Sequence, residues 1–140
     1  MHAVVKQLPA KRIFWRMAMK PGAPALAYRC GSLLGIALSG NPFAALATFE
    51  LLVRPVLAKL SRRPEVLCQR QRALLADDFL KASPGRRFLR ANYQNGHVSL
   101  PGRNASGMLF STMLCNALLD IPAGTPALHA GEEVEIVNLY

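Results

Sequence analysis

The sequence predicts an α/β unit followed by a small, mostly β unit, and three observations predict it. Residues 1 to 64 carry 10 Lys/Arg against 1 Asp/Glu, whereas residues 65 to 140 carry 7 of each, so the net charge of +9 lies in the first half. A split that complete marks two surfaces of different character. Two punctuation points, KPG at Lys20 to Gly22 and SGNP at Ser39 to Pro42, bracket short apolar runs, and the second opens directly into a long apolar helix. The second half instead shows short runs of period-two alternation around Asn95-Gly96, a strong type I′ hairpin signal. With 51% hydrophobic and 18% charged residues among 140, the chain can bury a core.

Residues 2 to 8 read as the tail of a helix ending before Pro9. Ile13 to Met19 reads as a strand, with Ile13, Trp15, Met17 and Met19 on one face and Phe14, Arg16, Ala18 and Lys20 on the other. Pro21, Gly22 and Pro24 end it. Leu26 to Arg29 and Leu33 to Leu38 are short strands around a turn at Gly31 and Ser32. Phe43 to Leu60 has Leu46, Phe49, Val53, Val56 and Leu60 at helical spacing. Pro55 removes one N–H and crowds the carbonyl of Leu51, which predicts a kink. Ser61 to Pro64 closes this helix and sets a domain boundary, giving units at residues 1–63 and 65–140.

In the second unit, Val66 to Ala76 is a mixed polar and apolar strand. Arg86 to Tyr93 and His97 to Leu100 are the hairpin strands flanking Asn95-Gly96. Ser106 to Cys115 reads as a short helix. Glu132 to Leu139 alternates Val134 and Ile136 against Glu133, Glu135 and Val137, and reads as the final strand.

Cys30, Cys68 and Cys115 are odd in number and far apart, which fits neither a disulfide framework nor a CxxC metal pattern and points to a reducing cytoplasm. Lys6, Lys11 and Arg12 surround no continuous apolar region at the start, which argues against a signal peptide. The apolar stretch from Leu33 to Leu60 is interrupted by Gly40, Asn41, Pro42, Glu50 and Arg54 and reads as core rather than a membrane span. His2, His97 and His129 lack metal-ligand spacing. The acidic pair Asp77-Asp78 reads as water-facing.

Cations and helix starts carry the functional signal. Asn41 is a favoured N-cap residue and Pro42 a favoured first helical residue, while Ser39 and Gly40 permit close backbone approach. A helix start behind a strand and a tight turn presents free N–H groups to an anion. Its bland reading is simply a well-specified helix start. Arg16 and Lys20 share one strand face, roughly 13 Å apart, so they suit two parts of an extended polyanion; the bland reading is two solvated cations. Ser106 has the N-cap residue type. Arg90, between Phe88 and Asn92 on one strand face, is a solubilising charge unless it and Ser106 meet a cleft facing the first unit.

The series WRMAMKPGAP, LSGNPFAALATFELLVRPVLAKL, FLRANY, GRNASGMLFSTMLCNALLDIP and AGEEVEIVNL resembles, in order and over nearly the whole chain, the C-terminal part of the MoeA family. These are molybdopterin molybdenumtransferases, related to the E domain of gephyrin. The resemblance implies that residues 1–63 are the closing part of a molybdopterin-binding α/β domain and residues 65–140 a C-terminal β-barrel-like domain (domain IV). It implies adenylated molybdopterin and molybdate as substrates, Mg2+ as the assisting cation, and a homodimer in the complete protein, without membrane or nucleic acid. On the family pattern Arg16 and Lys20 stand near oxyanion or phosphates as catalytic residues. Gly40 and Asn41 match the phosphate loop, and Arg90 and Ser106 match barrel positions facing the cleft. No metal ligand is assigned.

Two departures stand out. Where the family motif is usually KPGKP, Ala23 replaces the second lysine, and LPGNPVSA has become LSGNPFAA. The Gly- and Ser-rich substrate loop and acidic metal-binding residues that the family keeps upstream are absent from these residues, so the chain alone is expected to be inactive. The alternative is an inactive remnant or interaction module of the same family, as the gephyrin domain also serves in scaffolding. A basic nucleic-acid binder ranks last, because aromatics are only 7% and no recognition signature appears.

Overall fold

The computed structural model describes residues 5, 7, 9–101 and 115–139. The expected helices over residues 2–8 and Ser106 to Cys115 therefore fall almost wholly outside the described residues. Among the described residues, nine strands form two sheets. Strands β1 (Lys11–Trp15), β3 (Leu26–Cys30) and β4 (Leu33–Ala37) make a three-stranded antiparallel sheet in the order β1-β3-β4. The expected pair around Gly31 and Ser32 is thus a hairpin.

The second half closes into a barrel. Strands β5 (Arg70–Leu75), β6 (Arg86–Gln94), β7 (His97–Ser99), β8 (Ala117–Ile121) and β9 (Glu133–Asn138) run in the order β6-β7-β5-β9-β8, and β8 pairs back onto β6. Among the described pairings of these five strands, only β5–β7 is parallel. Closure leaves no free edge within the ring. Asn95 and Gly96 turn β6 into β7 with φ of 51° and 82°, the left-handed pair that a type I′ turn demands. Ala73, Leu75, Ala91, Val98, Ala117, Leu119, Ile121, Val134 and Ile136 fill the interior.

The expected strand over Ile13 to Met19 is two strands in different sheets. β1 carries a bulge between Arg12 and Phe14 and stops at Trp15, and Arg16 then takes a left-handed conformation (φ 73°). After that reversal β2 (Met19–Lys20) pairs in parallel with β6, Met19 against Arg86 and Lys20 against Arg87. The first half of the chain therefore adds a strand to the barrel's sheet. Val66 to Ala76 also differs from its expectation: Pro64–Val66 is a 3-10 turn, and the strand covers Arg70–Leu75.

The long helix runs from Pro42 to Ser61 as α1 (Pro42–Thr48), a π-helical turn (Phe49–Val53) and α2 (Arg54–Ser61). Instead of a simple kink, the helix widens just before Pro55. The Arg54 N–H reaches back five residues to the Phe49 carbonyl, in a stretch where Pro55 has no N–H for Leu51. The extra residue rotates the following turn, and so the straight-helix stripe fails at its end: Leu60 is exposed, and Ala58 is the buried residue of α2.

The helix lies on the outer wall of the barrel. Met19, Ala47, Phe88, Cys115, Leu118, Val137 and Leu139 form one buried cluster, with Phe43, Leu46, Leu51 and Cys68 packed against it. This explains why β8 gave no strand signal in the sequence. Ala117, Leu119 and Ile121 fill the barrel, while Leu118 lies in the outer cluster and Asp120 is buried beside two arginines. Both faces are covered, so the period-two alternation disappears. No helix among the described residues is long and apolar enough to cross a membrane.

Candidate functional site

Asn41 starts α1 as its residue type predicts. Its backbone is extended, its Oδ1 accepts the Ala44 N–H at 3.0 Å, its carbonyl accepts the Ala45 N–H at 2.8 Å, and Pro42 takes the first helical position. The Ser39 Oγ accepts the Asn41 N–H at 3.3 Å, which tightens the approach to the cap. Asn41 thus stabilises its own helix with its side chain. Gly40 is exposed, and a Cβ there would meet nothing within 4 Å. Packing does not demand a glycine at this position; its effect is to leave the loop backbone open.

Lys20 and Gly22 are fixed by β2 and by α1. Lys20 is exposed beside Arg87 and is followed by a cis peptide to Pro21. Gly22, at φ 97°, is pressed against the helix. A Cβ on it would lie 2.3 Å from the Thr48 Oγ1 and 3.6 Å from the Ala44 carbonyl oxygen. Thr48 is itself held, donating to the Ala44 carbonyl at 2.7 Å. Only glycine lets the KPG turn come this close to α1.

Arg90 arrives from the barrel. It pairs with Leu118 across β6 and β8, and its guanidinium sits 5.0 Å from the centre of the Phe43 ring, in the first turn of α1. Burial pushes the Cys115 thiol up, and the positive charge of Arg90 pulls against that rise. The fold therefore brings Arg90 and the start of α1 together, and it docks the KPG turn on the same helix one to two turns later.

Arg16 stands differently from its expectation. It shares no strand with Lys20; its N–H donates to the Ala25 carbonyl at 2.8 Å, and its guanidinium lies 5.9 Å from the Trp15 ring centre. Ser106 lies outside the described residues. None of the three described cavities is lined by Lys20, Asn41 or Arg90. Lys20, Gly40 and Asn41 are exposed, and Arg90 is partly buried against Phe43.

Two polar clusters escaped the sequence reading. Asp120, buried, accepts from Arg86 through both oxygens (2.9 and 2.6 Å) and from Arg70 at 2.8 Å, while the same Arg70 nitrogen also donates to Glu135 at 2.6 Å. The two arginines border a cavity of about 220 Å3 with Met17, Met19, Leu51 and Phe88. No local spacing announces partners so far apart in the chain. Glu50, also buried, pairs with Arg54 and accepts the Cys68 thiol at 2.9 Å. The Glu50/Arg54 spacing of four on a helix was the available signal. Among the described residues no group of three His, Cys, Asp or Glu side chains is placed to hold a metal ion.

Residues 72–139 match the family model of the MoeA C-terminal region (domain IV). The chain is 34% identical over 139 residues to the molybdopterin molybdenumtransferase of Staphylococcus aureus (strain Mu50 / ATCC 700699), covering 96% of this chain and 33% of that protein. The enzyme of the same name from Bacillus subtilis (strain 168) is 33% identical over 141 residues, with 96% of this chain and 32% of that protein covered. The chain thus spans about a third of the length of the curated relatives it matches. Among solved structures, the molybdopterin biosynthesis MoeA protein of Pyrococcus horikosii superposes with a TM-score of 0.85 at 25% identity, over 99% of this chain and 34% of that one. A molybdenum cofactor biosynthesis protein from Pyrococcus furiosus gives a TM-score of 0.75 at 26% identity, over 91% and 45% respectively.

Proposed function

We propose, for a chain that belongs to the MoeA family through its C-terminal part, that it supplies the helix and barrel side of a molybdopterin molybdenumtransferase site. In this reading residues 1–63 complete a molybdopterin-binding α/β domain, and residues 65–140 are its C-terminal domain. The observation that carries the reading is the Arg90–Phe43 contact, which sets a barrel cation against the first turn of the helix that Gly40 and Asn41 introduce.

The chemistry follows from charge. Adenylated molybdopterin and molybdate are both anionic, and bringing them together requires donors and cations fixed in place beforehand. Lys20, on the KPG turn clamped to α1, and Arg90, against Phe43, are the cations offered, with the exposed loop at Gly40 leading into the same helix. Arg16, exposed at the far end of β1, serves an outlying part of a polyanion. Ser106 is retained as a substrate contact on the family pattern. The described residues do not fit a Mg2+ site: Asp120 and Glu50 are neutralised by arginines, Asp77 accepts the Leu100 N–H, and Asp78 accepts the Ala130 N–H. No step is therefore assigned to the metal on this chain. The pairing into a homodimer and the cytoplasmic setting belong to the same reading.

The test is complementation. Cells lacking the transferase receive this chain together with the remaining two-thirds of a family relative, and a molybdenum-dependent enzyme activity is read. Rescue that disappears with Lys20→Ala or Arg90→Ala supports the proposal; absence of rescue with both pieces soluble opposes it. Ala23, which leaves the KPG turn one cation short, favours a second reading as a non-catalytic interaction module. Retained self-association without pterin binding would select that reading.

A further inference from the structure

We infer that Arg87 is a further anion-binding residue, the second cation of a clamp that it forms with Lys20 on a phosphate or similar oxyanion group of the ligand; this rests on the reading just given. The strand register places the two side by side. β2 pairs in parallel with β6, Met19 against Arg86 and Lys20 against Arg87. Residues opposite each other on paired strands project to the same face of a sheet, with the strands about 4.8 Å apart. The neighbours identify that face. Met19 and Phe88 both lie in the wall cluster on the outer face, so Lys20 and Arg87, each one position along, take the other face. Arg87 stands opposite Ile121, the last residue of β8 and part of the barrel interior. The two cations therefore sit together at that end of the barrel, Lys20 exposed and Arg87 half-buried.

Like charges opposite each other on neighbouring strands repel. Elsewhere in the barrel the arginine charges are matched: Arg70 and Arg86 hold Asp120, and Arg72 holds Glu133. Among the described residues no carboxylate is paired with Lys20 or Arg87, and the Arg87 Nε is buried without a hydrogen-bond partner. The guanidinium lies 5.6 Å from the centre of the Phe79 ring, a contact that brings it no counter-charge. A charged donor left unpaired is costly. An anion between the two side chains relieves the repulsion and gives the guanidinium an acceptor. The pair also suits a tetrahedral oxyanion, because a guanidinium offers a fork of donors and an ammonium a compact point charge. Ala23 leaves the KPG turn one cation short of the usual motif, and Arg87 brings a charge of that sign to Lys20 from across the seam.

The experiment uses the full chain with inorganic pyrophosphate as the anionic probe. Binding is measured by calorimetry for the wild type, Lys20→Gln, Arg87→Gln and Arg12→Gln, and a thermal melt of each without pyrophosphate checks that it is folded. Arg12, an exposed cation on β1, controls for the loss of one positive charge. In the wild type the Arg87 Nε–H resonance is followed by NMR through the titration. The inference expects Arg87→Gln to weaken pyrophosphate about 10-fold and Arg12→Gln to change it by less than about 2-fold. It also expects the Arg87 Nε–H signal to move with the midpoint that calorimetry gives. A loss in Lys20→Gln with none in Arg87→Gln overturns the role of Arg87 and leaves that of Lys20 standing. Equal losses in Arg87→Gln and Arg12→Gln reduce the effect to the general positive field and overturn the clamp as well. Unchanged affinity in Lys20→Gln brings down the anion-binding reading of the KPG turn, and the clamp with it. If Arg87→Gln does not fold, the wild-type titration decides: an Nε–H signal that ignores saturating pyrophosphate overturns the inference.

Discussion

Glu50 is the single acidic residue among the first 64, and the fold buries it. A buried carboxylate is tolerable only when its charge is matched and its oxygens are filled. Arg54 supplies two donors, the Nη2 contact being 2.8 Å, and the Cys68 thiol supplies a third at 2.9 Å. Burial on its own would raise the Glu50 carboxyl; the hydrogen bonds from Arg54 and Cys68 and the charge of Arg54 outweigh it and hold the group below its ordinary value. Burial first, then the neighbouring carboxylate, pushes the Cys68 thiol up to about 11. The signs follow. Glu50 contributes stability that is complete above the ordinary carboxylate range and is lost as pH falls through its lowered value. Cys68 contributes stability that is complete below about 9 and is lost as pH rises through about 11. At pH 8 Cys68 should therefore react with iodoacetamide far more slowly than a free thiol. Glu50→Gln should speed that reaction several-fold, measured by mass spectrometry of the Cys68 peptide. Equal rates in the two proteins would show that the carboxylate does not restrain the thiol.

Among elements, the three-stranded sheet is the least satisfied. β1 and β4 are its outer strands, and each leaves one edge without a partner among the described residues. Ile13 and Leu33 are 57% and 58% exposed at those strands, with Trp15 and Leu34 also on the surface. Apolar side chains beside open edges favour pairing with another chain. The expected outcome is concentration-dependent association of the isolated chain in sedimentation, shifted toward monomer by Leu33→Lys; a stable monomer throughout would contradict it. The elements also show what a sequence reveals. The β3–β4 and β6–β7 hairpins, the start of α1 and the final strand were legible, because each rests on neighbouring residues: a turn pair, a cap, an alternation. β8 was not legible, since both of its faces are covered by distant segments, and neither was the break at Arg16, which comes from one residue in a left-handed conformation. The candidate site divides the same way. The cap at Asn41 and the KPG turn are local, whereas the meeting of Arg90 with Phe43 depends on how the helix lies on the barrel.

At the scale of the molecule, charge and composition divide the chain near residue 64, but the packing does not stop there. β2 is a strand of the barrel's sheet contributed from before that point, and the wall cluster takes Met19 and Ala47 from one side and Phe88, Leu118, Val137 and Leu139 from the other. The Glu50–Cys68 contact adds a polar tie across the same seam. With its larger apolar neighbours supplied by the barrel, the helix has little reason to hold its widened turn alone, since helices this short are marginal in water without tertiary packing. The helix and barrel should therefore unfold as one unit. Leu118, fully buried between them, is the place to test it: Leu118→Ala should cost about 2–5 kcal/mol. Amide hydrogen exchange should then show the same loss of protection in residues 42–61 as in β8 and β9. Leu60→Ala, at a position 69% exposed, should leave both unchanged within about 0.5 kcal/mol. If Leu118→Ala frees only the barrel amides while the helix keeps its protection, the seam is a contact between two independent units, and the Arg90–Phe43 contact along it would be assembled by docking instead of folding.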